Sequence, residues 1–379
     1  MALGAPEGQP GITGRFKSFR EKHHFLFEAA FFMAGFLFDT LLLHRIDSVP
    51  LLIHQGFYVV LAAWLIGIDH RIHVSGKEPE GRWKKLASYR TWVMHFLMGT
   101  VLNAFVVFYF RATSVYSSSS LFMLLLLVVL FLNELPRFRA RGPVVRVALL
   151  SFVVTSYCAY LFPLIVGRLA WWLFLPAVLA GAGASVGLWK LYRRFTHDPN
   201  WTFQRAVLPG LIVQLCLVGL YVTKLMPPVP LSLRTIGVYH AVEKDAEARG
   251  YRVKYVAPSV WKFWINDAAE FPMREGDKAW AFVAVFAPKG FRDAIQFQWS
   301  YDDPKKGWVD LGPPSTTALG TGAINREQGF RTYANMTPRS PGTYRVVVSS
   351  SDGREIGRRT FEVVRDEGPE ERTFREEVL

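Results

Sequence analysis

Residues 147–166 read VALLSFVVTSYCAYLFPLIV, twenty positions without a charge, entered directly after Arg146 and followed two residues later by Arg168. At 1.5 Å per residue a helix of that length reaches about 30 Å, the thickness of the hydrocarbon layer of a bilayer. Comparable runs stand at 25–44, 51–68, 91–110, 113–132, 170–191 and 206–226, which predicts an all-α transmembrane bundle of about seven helices. The run at 113–132 is the weakest. Its apolar heart, 121–132, covers 12 residues, so crossing requires the uncharged serines at 117–120 to enter the helix or the headgroup region.

The connections between these runs alternate strictly in basic content. Arg15, Lys17, Arg20 and Lys22 precede the first run, and Arg45 alone follows it; Arg71, Lys77, Arg82, Lys84, Lys85 and Arg90 come next, then Arg111 alone. Arg137, Arg139, Arg141 and Arg146 crowd the following connection, Arg168 is solitary, and Lys190, Arg193, Arg194 and Arg205 precede the last run. Basic connections stay in the cytoplasm. The expected protein is therefore a multi-pass inner-membrane protein with a cytoplasmic basic N-terminus (1–24), a seven-helix domain (25–226) and everything after Met226 outside. With no small-residue cleavage site after it, 25–44 reads as an uncleaved signal anchor. A six-crossing alternative would strand the Arg137–Arg146 group outside.

Charge supports this division. Residues 1–227 hold 22 Lys+Arg against 10 Asp+Glu, and residues 228–379 hold 22 against 21, so the net +13 splits into +12 and +1. The basic residues punctuate apolar runs instead of forming a phosphate-binding stripe, which argues against a nucleic-acid partner and for the lipid bilayer. Cys158 and Cys216, the two cysteines, lie inside apolar runs and read as packing residues.

After Met226, Pro227-Pro228-Val229-Pro230 reads as a stiff exit linker, with a short polar helix over 238–248 and a first strand at 251–256 completing a linking region at 227–257. Aromatic and β-branched stretches at 279–286, 294–301, 329–335, 343–349 and 358–364, bounded by Gly, Pro, Asp and Ser, predict an all-β, sandwich-like domain over 258–365. The last two should form a hairpin turned at Ser351-Asp352-Gly353, and 366–379 should be a frayed charged tail.

On Trp280–Pro288 (WAFVAVFAP), Gln298-Trp299, Gly329-Phe330-Arg331-Thr332-Tyr333, Gly342-Thr343-Tyr344-Arg345-Val346 with Asp352-Gly353 and Phe361, and on Asn133-Glu134, the chain resembles an uncharacterised bacterial integral-membrane family. That family joins several N-terminal apolar helices to a small C-terminal β domain of unknown function. Tyr344 stands where the resemblance leads one to expect Trp. It implies an envelope location and transfers no activity or catalytic residue.

Ionisable groups inside spans are costly and become candidates by default. Glu28 and Asp39, eleven residues apart, fall within about 20° of one another on a helix face, and by depth they could pair with His95 and His54 respectively. Such pairs either form a proton or ion path or lock helices together by hydrogen bonds. Asn103, near mid-span, must find a partner in hydrocarbon. Gly183-x-x-x-Gly187 with Ala177 and Gly181 makes a small-residue stripe expected to pack within the protein. Asp69, His70 and His73 lack a further clustered ligand and read as solvated loop residues. Gly320-Thr321-Gly322 lacks the Gly-Lys-Ser/Thr continuation of a phosphate loop. Among Trp261, Trp264, Trp280, Trp299 and Trp308 some must be core; if exposed, Trp261 and Trp264 form a candidate aromatic surface for headgroups or a ligand, with core packing the favoured reading.

No catalytic, metal or cofactor set emerges. The first expectation is a non-enzymatic envelope protein whose outer β domain binds a protein, glycan or lipid. A proton- or ion-coupled transporter using the polar residues of spans one to three is the alternative, and a membrane enzyme acting on lipid or polysaccharide is the third.

Overall fold

The computed structural model describes residues 49–75, 82–113, 117–134, 142–196, 198–245, 247, 250–256, 270–288, 290–319, 329–368 and 372–379. The helical part comprises α1 (Val49–Ser75), α2 (Arg82–Ala112), α3 (Ser120–Glu134), α4 (Pro143–Val166), α5 (Trp171–Arg193) and α6 (Pro199–Thr202), the last continuing through a π-helical turn (Phe203–Val207) into α7 (Leu208–Val222). The π-turn falls directly before Pro209, whose ring cannot donate to the carbonyl one turn back. Val49–Ile72, Val144–Val166, Trp171–Arg193 and Asn200–Val222 are long and apolar enough to cross a membrane, while Phe96–Ala112 and Ser120–Val129 are shorter apolar stretches. The described residues thus hold six apolar helical runs, and the expected count of seven is not matched; the first expected span, 25–44, lies outside them.

These helices are apolar on both sides. On α1 Val59, Ala62 and Ile66 are buried in the bundle core, yet Ile53, Phe57, Val60 and Trp64 form an exposed stripe at helical spacing. Leu211, Leu215, Val218 and Val222 repeat the same spacing along α7. Water would leave such stripes uncompensated, whereas hydrocarbon would not.

Inside the bundle, α4, α5 and α7 close around a polar knot. Gln214 donates to the Ser151 hydroxyl at 2.7 Å and accepts from Thr155 at 3.0 Å, while Ser151 donates to the Gly181 carbonyl at 3.1 Å. Two glycines make the approach possible. A Cβ on Gly181 would stand 1.9 Å from Thr155 Oγ1, and one on Gly210 2.0 Å from Ser185 Oγ. Gly183 and Gly187, expected to be the packing pair, instead lie on the exposed side of α5, where an added Cβ meets nothing within 4 Å. The 3.6-residue helical period explains the correction, because Gly181 and Ser185 share the inward face that Gly183 and Gly187 miss.

The β part is built from β1 (Ser232–Tyr239), β2 (Ala241–Asp245), β3 (Gly250–Val256), β4 (Glu270–Met273), β5 (Ala279–Phe286), β6 (Ala294–Asp303), β7 (Gly307–Asp310), β8 (Ser315–Ala318), β9 (Phe330–Met336), β10 (Gly342–Ser350), β11 (Glu355–Arg365) and β12 (Phe374–Val378). They form three sheets, ordered β1-β5-β9, β4-β11-β10-β6-β7 with β8 also on β6, and β12-β3-β2. The β1-β5-β9 sheet is covered on both faces. Ala279, Ala281, Val283 and Val285 of β5 meet Phe297, Trp299, Tyr344, Val346 and Phe361 of the large sheet, whereas Phe282 and Ala284 meet Val242, Val253 and Tyr255 of the small one. Double coverage explains why β5 reads as an almost unbroken apolar run.

Two expectations are overturned here. The region 238–248 is not a helix: β1 pairs β5 and β2 pairs β3, and the alternation of Val238 and Val242 with polar neighbours outweighs the helix-favouring Glu, Lys and Ala content. Nor is 366–379 frayed throughout, since β12 pairs β3, with Glu376 3.1 Å from Lys254 and 3.4 Å from Arg252. The hairpin at Ser351-Asp352-Gly353 forms as expected.

Replacing Gly181 with Ala should lower thermal stability by roughly 1–3 kcal/mol, the usual cost of overpacking. Gly183→Ala should stay within about 0.5 kcal/mol. Thermal unfolding of both variants in one detergent checks this; equal losses would contradict the knot.

Candidate functional site at the junction of bundle and β domain

Helix ends leave backbone amides and carbonyls without intrahelical partners, with partial positive charge at the N-terminus and negative at the C-terminus. The β domain bonds the segments that flank these ends. Before α3, Ser118 gives both its amide (3.2 Å) and its hydroxyl (2.9 Å) to Glu355. Before α5, the Leu169 amide donates to Asp293 at 3.1 Å, while the Gly167 carbonyl after α4 accepts from the Arg292 amide at 2.6 Å. Beyond α7, the Pro227 carbonyl accepts from Arg354 at 3.1 Å. Acids thus meet two helix beginnings and a cation lies beyond a helix end.

The centre of this junction is the Asp352–Arg354 pair in the β10–β11 turn. Nε and Nη2 of Arg354 reach Asp352 Oδ2 at 2.9 and 2.8 Å, and both side chains are only 7% exposed. Ser350 donates to the other Asp352 oxygen at 2.6 Å, and the Tyr221 hydroxyl donates to Oδ2 at 3.3 Å. The guanidinium lies 4.9 Å from the centre of the Tyr221 ring, which stacks on Phe174 at 4.1 Å. Gly353 takes φ 78°, in the left-handed region that favours glycine. Burial pushes the Asp352 carboxyl up, but the charge and hydrogen bonds of Arg354, with the Ser350 hydroxyl, outweigh it and hold the group below its usual range. Asp293 goes the other way, raised chiefly by burial.

Apolar groups interlock across the same junction. Leu169, from the α4–α5 connection, is buried in the β-domain core, while Met226 and Val229 belong to the bundle core. Residues 226–230 are all buried, so the proline-rich segment is packed and does not act as a free spacer. The gap beneath is lined by Tyr109, Leu173, Phe174, Tyr221 and Arg354.

The opposite end of the bundle is basic. Asp69 accepts from Arg90 Nε at 2.9 Å and from Arg146 Nη1. His70, expected to be solvated, is buried and stacked on Tyr192 with ring centres 3.4 Å apart. Arg71, Arg193 and Arg205 lie over Phe195, Trp189 and Trp201.

Of the residues singled out from sequence, Glu28, Asp39, Trp261 and Trp264, with the Gly320-Thr321-Gly322 stretch, lie outside the described residues, as do the side chains of His73, His95, Asn133 and Glu134. His54 is on the exposed side of α1, its ring 4.0 Å from Tyr58, and Asn103 is half-buried on α2. Trp299 is core, Trp280 half-buried and Trp308 exposed. Among the described residues no three His, Cys, Asp or Glu side chains group as metal ligands. Sequence reading passed over Gln214, although a lone amide in an apolar run already demands a partner. It read Asp352 only as a turn residue, and nothing local in the sequence marks Glu355 or Asp293 as helix-end partners.

No described protein family and no curated protein matches the chain. Among solved structures it is similar to the Pseudomonas fluorescens alkylpurine DNA glycosylase AlkC bound to DNA containing an abasic site analog, at 12% identity over 82% of this chain and 98% of that one. The TM-score is 0.21, which supports no argument about fold or activity.

Removing one partner of a buried ion pair costs about 3–5 kcal/mol. Arg354→Ala should therefore lower the unfolding temperature well beyond Arg365→Ala, whose guanidinium is exposed. Because Asp352 is depressed in the folded state, its stabilisation is complete above the ordinary carboxylate range near 4 and is lost as pH falls through the depressed value. The gap in unfolding temperature between wild type and Asp352→Asn should hold constant above about pH 5 and shrink only as pH falls below about 4; a gap that shrinks between pH 7 and 5 would refute this.

Proposed function

We propose that the chain is a multi-pass protein of the bacterial inner membrane, crossing seven times from a cytoplasmic N-terminus, whose β domain is seated on the outer face. In this reading the β domain is a non-enzymatic module that binds a protein, glycan or lipid of the envelope, and the bundle anchors it. The observation that carries the proposal is segregation of charge along the bundle. Arg71, Arg90, Arg146, Arg193 and Arg205 gather at one end, and the β domain covers the other. Basic helix ends remain in the cytoplasm, which directs the covered end outward.

The arrangement also suits span four. Although α3 has only 15 residues, Ser118 before it meets Glu355 at the β-domain end, and Arg146 at the start of α4 meets Asp69 at the basic end. The chain traverses the bundle between them, as a seven-crossing path requires. Of the serines at 117–119, which precede the helix, Ser118 is held by Glu355 through its amide and hydroxyl.

Topology is directly testable. In a chain with Cys158 and Cys216 replaced by Ala, Lys305→Cys should react in intact cells with an impermeant maleimide added outside. Lys84→Cys should react only after the membrane is breached. The reverse pattern would remove the basis of the proposal.

A further inference from the structure

The outward face of the large sheet carries a patch that neither core uses. Register aligns Thr360 of β11, Arg345 of β10, Ser300 of β6 and Asp310 of β7 in one row across four strands, with Asp302 and Trp308 facing each other in the next. Alternation turns Tyr344, Val346 and Phe361 inward and this row outward. Trp308 is 40% exposed on an edge strand whose four residues are all exposed, and the Arg345 guanidinium lies 4.1 Å from the centre of its ring.

Arg345 is the unusual member. Its Nε is buried and meets no hydrogen-bond partner among the described residues, and no carboxylate there forms an ion pair with it. Its neighbours are otherwise engaged. Arg358 is held by Glu355 at 2.6 and 2.5 Å, and Asp310 accepts from Ser300 at 2.8 Å. Burial and the nearby Arg358 charge hold the Arg345 pKa down, as expected for a cation lacking a close counter-ion.

We propose that this face binds a neutral saccharide, one sugar ring stacking on Trp308 while vicinal hydroxyls bridge Arg345 and the Asp302 and Asp310 carboxylates. This rests on the reading of the β domain as an envelope-binding module and names the partner class. The choice follows from the charges. The Asp302 and Asp310 carboxylates already act on Arg345, so an anion approaching its guanidinium would also face them. Guanidinium groups only donate and carboxylates only accept, so a ligand satisfying both must offer acceptors and donors a short distance apart, as adjacent hydroxyls do. The C–H face of a pyranose is apolar and weakly positive, matching the negative face of an indole. A peptide strand would need a long free edge, and β7 offers four residues.

The test uses the purified full chain in nanodiscs, titrated with a panel of neutral oligosaccharides (gluco-, manno-, galacto- and N-acetylglucosamine series) and with oligouronates, read by calorimetry and tryptophan fluorescence. At least one neutral series should saturate, with binding weakened about tenfold or more by Trp308→Ala and by Arg345→Met, while Lys306→Ala changes little. Unchanged circular dichroism and unfolding temperature in the two variants exclude misfolding. Any variant that fails this check is replaced by Trp308→Leu or Arg345→Gln. Absence of binding across the neutral series, preference for oligouronates, or binding indifferent to Trp308 each overturns the proposal. The maleimide pattern of Lys305→Cys and Lys84→Cys is independent of these variants, so failure here leaves the topology reading standing, and a reversed pattern is recognised separately.

Discussion

Directional hydrogen bonds between the β domain and the segments flanking the helices organise everything else. Glu355 and Asp293 accept from amides two residues ahead of α3 and α5, Arg354 donates to the Pro227 carbonyl in the segment after α7, and the Arg292 amide donates to the carbonyl of Gly167, which caps α4. Orientation of the β domain on the bundle is therefore set by several directional contacts at once, reinforced by Leu169 on one side and Val229 on the other.

The same logic runs through the bundle interior. With no water available, Gln214, Thr155 and Ser151 satisfy one another and the Gly181 carbonyl, and the small residues at 181 and 210 set how closely the helices approach. Gln214, Thr155, Ser151 and Gly181 form the knot in which the polar groups of α4, α5 and α7 meet. The basic end differs in kind: its arginines lie on aromatic rings and on Asp69, an arrangement suited to a polar boundary.

Helix existence was legible in the sequence because length and apolarity alone define a candidate span, and the runs from 51 to 226 each correspond to a helix. Strand β5 was legible as a bounded run of apolar, β-branched and aromatic residues, and β6, β10 and β11 through alternation and turn residues. The failures have a common cause. At 238–248 and 374–378 local composition is polar and helix-compatible; β1 and β12 form on partners far away in the chain, β5 and β3, while β2 forms a local hairpin with β3. The Gly183–Gly187 pair misled because a motif gives spacing without saying which side of the helix faces inward. The junction residues were invisible for a deeper reason. Asp293 and Glu355 meet Leu169 and Ser118, residues more than a hundred positions away, and Asp352, though paired locally with Arg354, also accepts from the distant Tyr221.

Leu169 has an implication for how the molecule is made and handled. A side chain delivered by the connection between two helices completes the interior of the β domain, so that domain has a socket only the assembled bundle can plug. A fragment beginning after residue 227 would lack Leu169 in its core, while Glu355 and Asp293 would lose Ser118 and the Leu169 amide and keep Arg358 and the Ala294 amide. The interior of the β domain is therefore complete only with the helical part in place.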